Sequence, residues 1–167
     1  MEVDELLQDL EKRLESFGIS IFCRSPKRIY VDVPPQYSRE VNRIMFEEFE
    51  CRLATATGMD TSSRIEVLYH YCLDSSGIVV TIRTWAQKPD YTLESVATVF
   101  PGANFIEREI QDLLGVRFQH HPDPRRLILA DNWPEGVYPL RRDYPARKQR
   151  KETPEFLREL TEEVTTP

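Results

Sequence analysis

The densest cluster of groups that could do chemistry is the run Glu107-Arg108-Glu109, followed by Asp112. On a helix, Glu109 and Asp112 lie three residues apart and Arg108 and Asp112 four apart, so each pair shares a face. Two carboxylates that converge in a desolvated pocket can act as a general acid and a general base. No nucleophile or metal-binding set accompanies them, so we favour the alternative, a helix face of ion pairs or a polar interface.

A second cluster consists of His120, His121 and Asp123, whose side chains can bind metal ions. Adjacent side chains of an extended chain point in opposite directions, and His-His-Pro-Asp lacks the spacing of a structural zinc site. Asp123 precedes Pro124, where a carboxylate can accept hydrogen bonds from the backbone amides of a turn. We therefore expect a local structural role and keep a small metalloenzyme as an alternative.

Paired arginines raise nucleic-acid binding as a further alternative. They stand at residues 125–126 and 141–142, and more basic residues follow in 147–151. Acidic residues are interleaved with all three groups, whereas a nucleic-acid surface needs a concentrated basic patch. Forked guanidinium donors beside carboxylates favour contact with protein, and we interpret Trp133 as a packing or interface anchor.

Composition sets broader limits on the class of protein. The chain has 167 residues, of which 40% are apolar and 30% charged, with a formal net charge of −6. No apolar run approaches the roughly 18 residues that a membrane-spanning helix needs. The three cysteines form no CxxC pair, so neither a disulfide framework nor a zinc or iron–sulfur site is indicated, and a soluble protein of the reducing cytosol is expected.

Hydrophobic periodicity predicts the elements that must position these residues. Helices are expected over residues 3–17, 38–58, 93–100 and 103–114, and strands over 19–23, 28–33, 64–73 and 78–85. The strands form two hairpins, and Gly115 is placed to end the last helix in a left-handed conformation. The prediction is a two-layer α+β sandwich of α-β-β-α-β-β-α type with a mostly antiparallel sheet, its last helical part divided at Pro101.

The prolines divide the chain into two parts. We assign residues 1–118 to the α+β domain, because residues 119–167 hold seven of the twelve prolines and show no repeating period. Proline fixes φ and removes a backbone donor, yet this part keeps apolar residues such as Leu127 and Tyr144 that need a surface to pack on. We expect an extended C-terminal arm that packs on partner subunits, and poor behaviour of the isolated protein.

Three motifs follow one another in the second half of the chain. They are E-R-E-x-x-D-x-x-G from residue 107, H-P-D-x-R-R-x-x-L from residue 121 and P-L-R-x-D-Y-P from residue 139. In this order they resemble the 30 kDa subunit family of respiratory complex I. With the tryptophan between them, the motif residues are Glu107, Arg108, Glu109, Asp112, Gly115, His121, Pro122, Asp123, Arg125, Arg126, Trp133, Pro139, Leu140, Arg141, Arg142, Asp143, Tyr144 and Pro145.

In one stretch the sequence departs from the usual family pattern, and this departure resembles a particular branch of the family. The usual closing G-F-x-G-H-P-L-R-K-D is replaced by D-x-W-P-E-G-V-Y-P-L-R, beginning at Asp131. This form is more similar to the counterparts in membrane-bound energy-converting [NiFe] hydrogenases and sulfane reductase complexes. The same subunit in an NADH, F420H2 or ferredoxin:quinone oxidoreductase is the alternative.

The resemblance implies a non-catalytic structural and assembly subunit of a hydrophilic peripheral arm, on the cytoplasmic face of the membrane. Its partners would be the large catalytic-type subunit, which it clamps, a small iron–sulfur subunit and other peripheral-arm subunits. It would support electron transfer coupled to ion translocation. The resemblance implies no cofactor in this chain. It implies iron–sulfur clusters in the partner subunits and, in the hydrogenases, a nickel–iron site there as well. We expect Arg125 and Arg141 to pair with carboxylates of the large subunit.

Overall fold

The computed structural model describes residues 3–144. Within this range the helices are α1 (Val3–Leu14), α2 (Ser38–Glu47) and α3 (Ala103–Leu114), with short 3₁₀ turns at Glu15–Phe17 and Pro35–Tyr37. The strands are β1 (Ser20–Ser25), β2 (Arg28–Asp32), β3 (Arg52–Asp60), β4 (Arg64–Leu73), β5 (Ile78–Gln87), β6 (Thr92–Glu94) and β7 (Arg117–Gln119).

Five strands form the main sheet in the order β1-β2-β5-β4-β3. Three of its four strand pairings are antiparallel, and β2 pairs with β5 in parallel. Both predicted hairpins are confirmed. In the longer one, β4 and β5 pair from Leu73 opposite Ile78 to Arg64 opposite Gln87, and Gly77 supplies the positive φ that the turn requires.

The helices cover one face of this sheet. Tyr69 and Tyr71 lie two residues apart on β4 and so point to the same side; the first donates a hydrogen bond to α3 and the second to α2. The buried stripe of α1 (Leu6, Leu10, Leu14) joins the same hydrophobic core. The two-layer α+β fold with a mostly antiparallel sheet is therefore confirmed.

The prediction of a long second helix is wrong beyond Glu47. Residues 52–60 instead form edge strand β3, which pairs along its length with β4. Burial alternates along this strand, with Ala56 and Gly58 less exposed than their neighbours. Gly58 lets α3 pack directly on the strand, because a Cβ there would overlap with Leu114 Cδ1. This contact joins residues distant in the sequence, which local periodicity does not register.

The predicted helix over residues 93–100 is also wrong. Strand β6 occupies residues 92–94 and pairs in parallel with β7, giving a second, two-stranded sheet. The next backbone amides are already bound, since Ser95 donates to Gln119 O at 3.0 Å and Val96 to the Glu107 carboxylate at 2.9 Å. Only a turn follows, in which the Val99 and Phe100 amides both donate to Val96 O, because the residues before it are extended in the pairing with β7.

Residues 120–144, which we call the C-terminal segment, contain no helix or strand. That residues 119–167 form an extended arm packing on partner subunits stays a prediction, and the described segment lies on the domain. It folds back over α3, where Leu140 N–H donates to Leu113 O at 3.0 Å. Polar side chains of α3 also bind the backbone of the segment. Residues 145–167, which include Pro145, the 147–151 basic run and the rest of the predicted arm, lie outside the described residues.

Candidate functional site

The signature residues of α3 point in different directions, because successive side chains of a helix are about 100° apart. Glu107 enters the core, Arg108 and Asp112 face the C-terminal segment, and Glu109 points outward. Gly115 stands one residue beyond the helix. The structure therefore does not bring Glu109 and Asp112 together as an acid–base pair.

Glu107 is fully buried and joins three parts of the fold. Its carboxylate accepts hydrogen bonds from the Tyr69 hydroxyl (2.9 Å), the Ser95 hydroxyl (2.6 Å) and the Val96 amide (2.9 Å). Burial raises the pKa of this carboxyl, and the three hydrogen bonds act against the rise. The arrangement ties β4 and the turn after β6 to the start of α3.

Arg108 is almost as deeply buried and holds the C-terminal segment by its backbone. Its guanidinium donates to Arg125 O at 2.8 Å, to Arg126 O at 2.9 Å and to the Asp123 carboxylate at 3.1 Å. A planar guanidinium with several donors suits such a set of converging acceptors. This arginine is therefore engaged within the chain and positions the segment.

Asp112, one turn further along α3, holds the next three residues of the same segment. One oxygen, Oδ2, accepts the successive amides of Leu127 (2.8 Å), Ile128 (2.8 Å) and Leu129 (3.2 Å). Consecutive amides that converge on one anion form an anion-binding nest. Here the anion is the protein's own carboxylate, so Asp112 fixes the shape of residues 127–129.

The end of α3 is built around Gly115, whose φ is +74°. A Cβ at this position would overlap with the Tyr138 ring, so only glycine allows the segment to approach. Arg141 donates to Leu114 O at 2.7 Å, and its guanidinium lies between the rings of Tyr91 (3.9 Å) and Tyr138 (4.6 Å). The structure thus gives Arg141 an internal role, and its pairing with a carboxylate of the large subunit stays a prediction.

His120 and His121 bind different groups, although the chain is not extended here as expected, because His120 has a left-handed φ of +56°. His120 is exposed and contacts Glu94 at 3.1 Å, whereas buried His121 accepts the Asp123 amide at Nδ1 (3.0 Å). Its Nε2 therefore carries the proton and donates to Asn104 O at 3.2 Å. Burial lowers the pKa of His121. Residues 3–144 contain no group of three or more His, Cys, Asp or Glu side chains placed to hold a metal ion.

The remaining polar residues of the segment shape its turns. Arg125 binds the Asp123 carboxylate at 2.6 Å and 2.8 Å, and this contact holds the pKa of Asp123 well below its usual range. Arg126 donates to Ala130 O and Trp133 O, both at 2.9 Å. The Trp133 indole donates to Val137 O at 2.9 Å, consistent with a packing role.

The last motif closes the segment against β3. The Arg142 amide donates to the Asp60 carboxylate at 2.9 Å, and Tyr144 is buried. The other described members differ in exposure: Pro122, Leu140, Arg142 and Asp143 are exposed, and Pro139 is half-buried.

Sequence reasoning missed several residues that complete this site. Ser95 and Tyr69 bind Glu107, Tyr91 stacks on Arg141, and Asp60 anchors Arg142. Tyr69 was visible only as one of the apolar positions of a hairpin. A hydroxyl at a core-facing position of a strand gives no local signal of its partner on a distant helix, so these pairings depend on the tertiary fold.

Several large apolar side chains around the site remain in contact with solvent. Phe105 on α3 is 61% exposed, and Ile128 and Leu140 of the segment are 53% and 43% exposed. We define the α3 face as Phe105, Glu109 and Leu113, which share one side of the helix, together with Leu140 beside them. Exposed apolar clusters of this kind are typical of protein interaction sites.

None of the helices in the described range is long and apolar enough to cross a membrane. Named relatives match the chain over different lengths. It is 31% identical over 147 residues to a subunit of the F(420)H(2) dehydrogenase of Methanosarcina mazei, a match that covers 86% of this chain and 92% of that protein. Two other relatives are much longer proteins, and the match covers only a small part of each.

The first of these is a subunit of the NADH-quinone oxidoreductase of Phocaeicola vulgatus, 45% identical over 96 residues, which are 55% of this chain and 18% of that protein. The second is formate hydrogenlyase subunit 5 of Escherichia coli, 42% identical over 89 residues, which are 50% of this chain and 15% of that protein. The chain therefore spans under a fifth of either relative.

The fold has a solved counterpart in the structure of the membrane-bound sulfane sulfur reductase, an archaeal respiratory membrane complex. The TM-score is 0.72 at 21% identity, over 95% of this chain and 92% of that one, which establishes likeness of fold. The family model for the respiratory-chain NADH dehydrogenase 30 kDa subunit matches residues 31–150, including the whole described part of the site. The chain belongs to the 30 kDa subunit family of the respiratory-chain NADH dehydrogenase.

Proposed function

We propose that this chain is a non-catalytic structural and assembly subunit in the hydrophilic arm of a complex I-related membrane-bound oxidoreductase, of the energy-converting hydrogenase or sulfane reductase type. It clamps the large catalytic-type subunit on the cytoplasmic side of the membrane, beside a small iron–sulfur subunit. The cofactors, iron–sulfur clusters and in the hydrogenase type a nickel–iron site, belong to those partners. Electron transfer and ion translocation are then carried out by the assembled complex.

One observation carries this proposal. The charged residues of the signature that could have served catalysis, Glu107, Arg108 and Asp112, are buried and bind groups of the chain itself. Arg108 and Asp112 hold the C-terminal segment on α3, while apolar side chains such as Phe105 and Leu140 stay at the surface. A rigid segment that exposes apolar groups suits a subunit whose work is contact with another protein.

Two features support the hydrogenase type within this family. The segment from Asp131 to Arg141 has the form that resembles the counterparts in energy-converting hydrogenases. A relative named as a formate hydrogenlyase subunit supports the same assignment. The second candidate is the same subunit in an NADH or F420H2 dehydrogenase, supported by relatives of those names.

The test is recovery of the large subunit with an affinity-tagged copy of this chain, expressed with its own partner genes. We expect Arg125→Glu to release the large subunit while lowering the chain's own unfolding temperature only slightly, because the Arg125 side chain is 81% exposed and, within residues 3–144, its ion pair with Asp123 lies at the surface. Arg141→Glu should instead lower the unfolding temperature of the isolated chain, since it removes contacts with Leu114 and two rings.

Absence of a large subunit from the purified wild-type complex would overturn the proposed function. Normal recovery with Arg125→Glu would overturn the role of that arginine alone. The sequence of the recovered large subunit then decides the type, because two intact CxxC pairs supply the thiolates of a nickel–iron site, a partial set indicates a sulfur-reducing relative and none indicates a quinone enzyme.

A further inference from the structure

Glu109 is the one charged residue of the E-R-E-x-x-D-x-x-G run that the described chain leaves without a partner. Glu107, Arg108 and Asp112 are all hydrogen-bonded to other parts of the fold. Glu109 is exposed, and within residues 3–144 it makes neither a hydrogen bond nor an ion pair. No cation of the described residues neutralises this carboxylate.

The surroundings of Glu109 are apolar. Phe105 lies one turn before it and Leu113 one turn after it on the same side of α3. A groove with a volume of about 250 Å³ runs between α3 and β3 here, and Leu140 lines it together with Glu109. Its floor is closed at Gly58, where strand and helix meet at close range. The result is a single carboxylate at the rim of an apolar groove.

Resting on the proposed function, we infer that the α3 face binds an apolar segment of the large subunit that places a lysine or arginine over Glu109. Covering an ionised carboxylate with apolar groups is costly unless a cation and its hydrogen bonds replace the lost water. A basic side chain within an otherwise apolar segment provides both, and it also fixes the register in which the segment lies.

Charge also argues against a second copy of this chain as the occupant. A symmetric dimer through the α3 face would bring the same patch of both copies together, and with it two Glu109 carboxylates. Like charges facing one another in a partly desolvated contact are unfavourable. The whole chain carries a formal net charge of −6, which adds to the repulsion between copies.

The experiment compares four variants of the tagged chain in the complete complex. They are Glu109→Gln, Glu109→Lys, Leu140→Ser and, as a control on the exposed side of α1, Glu11→Lys. The readout is the large subunit retained per tagged chain as salt is raised. We expect at least about a tenfold loss of affinity for Glu109→Lys, a smaller loss for Glu109→Gln and Leu140→Ser, and no change for Glu11→Lys.

A genetic selection for restored assembly identifies the basic residue of the large subunit that pairs with Glu109. Substitutions in the large subunit that rescue Glu109→Lys should replace a lysine or arginine by an acidic residue. Wild-type retention with Glu109→Lys overturns the inference, as does a dimer of the isolated wild-type chain that Glu109→Gln, which removes the facing like charges, strengthens. These outcomes differ from failure of the proposed function, in which the wild-type chain itself recovers no large subunit. The unfolding temperature of each Glu109 variant should equal that of wild type.

Discussion

At the scale of single residues, position on the helix decides what a charged side chain does. Glu107 and Glu109 are the same residue type two positions apart, yet the first is a fully buried acceptor and the second is exposed. Arg108 between them reaches a third surface, the backbone of the C-terminal segment. The residue types of the signature therefore show which positions are charged. The direction in which each side chain points decides whether it contacts the chain itself or is exposed to another molecule.

His121 makes the stability of this site dependent on pH. Burial lowers its pKa below the ordinary value of 6.5, so the folded state favours the neutral ring that accepts the Asp123 amide. As pH falls through 6.5 the unfolded chain binds a proton first, and the free energy of unfolding decreases. We expect this decrease over about pH 7.5 to 5.5 in urea titrations, and a smaller one in His121→Gln, whose amide can both accept and donate.

The comparison with His121→Gln separates this effect from that of His70, while Glu107, whose carboxylate lies 3.7 Å from His121 Nε2, is coupled to His121. His70 also has a pKa lowered by burial and contributes a decrease of the same sign in both proteins. The raised pKa of Glu107 acts in the opposite direction, because its protonated form is favoured in the folded state and stability is then gained as pH falls. Equal pH dependence in wild type and His121→Gln would contradict the assignment to His121.

At the scale of elements, α3 organises the second half of the chain. One side of it packs on β3 at Gly58, a second side receives residues 123–129, and its end receives Tyr138 and Arg141. Each contact requires a small residue or a charged side chain at one position of the helix or just beyond it. The helix thus acts as the common support for strand, segment and exposed face.

Gly115→Ala tests how the end of α3 supports the segment. The new Cβ would enter the Tyr138 ring, and alanine is also unfavourable at a φ of +74°. We expect a loss of at least about 2 kcal/mol in the free energy of unfolding. Gly18→Ala is the matched control, because Gly18 has a φ of +60° with no atom within 4 Å of the added Cβ.

For the control we expect about 1 kcal/mol, the cost of the left-handed conformation alone. Denaturant titration of both variants and wild type provides the measurement. Losses of equal size at the two glycines would mean that the Tyr138 contact contributes nothing to stability.

At the scale of the whole molecule, the domain and the described segment form one folded unit. Buried charges of α3 have their partners in the segment, and the segment has no helix or strand of its own to stand alone. The boundary expected after residue 118 therefore separates groups that depend on each other. What remains for partners is the outer surface of this unit, including the α3 face.

Truncation tests that dependence. A chain ending at residue 118 loses the hydrogen bonds that Arg108 and Asp112 make with the segment, and it exposes the apolar surface that the segment covers. We expect it to unfold at least about 3 kcal/mol more easily than a chain ending at residue 144, or to aggregate on size-exclusion chromatography. Equal unfolding free energies would show that the segment adds nothing to the stability of the domain.

Sequence alone was sufficient for the elements with strong local patterns. The stripe of α1, the alternation of β4 and β5 and the stop at Gly115 all report contacts made within a few residues, and each is confirmed. The motifs also located the site on α3 and the segment after it. The charged residues of α3 and of the segment were thus readable from their types and spacing, whereas Tyr69, Ser95, Tyr91 and Asp60 were not.

The tertiary structure decided the rest, because the deciding contacts join distant residues. Strand β3 packs its Gly58 against Leu114 of α3, and β6 exists through its pairing with β7. In the same way, Asp112 binds amides 15 to 17 residues further along the chain. A sequence shows that a carboxylate is present, but the fold determines whether its counter-charge lies inside the chain or must come from a partner.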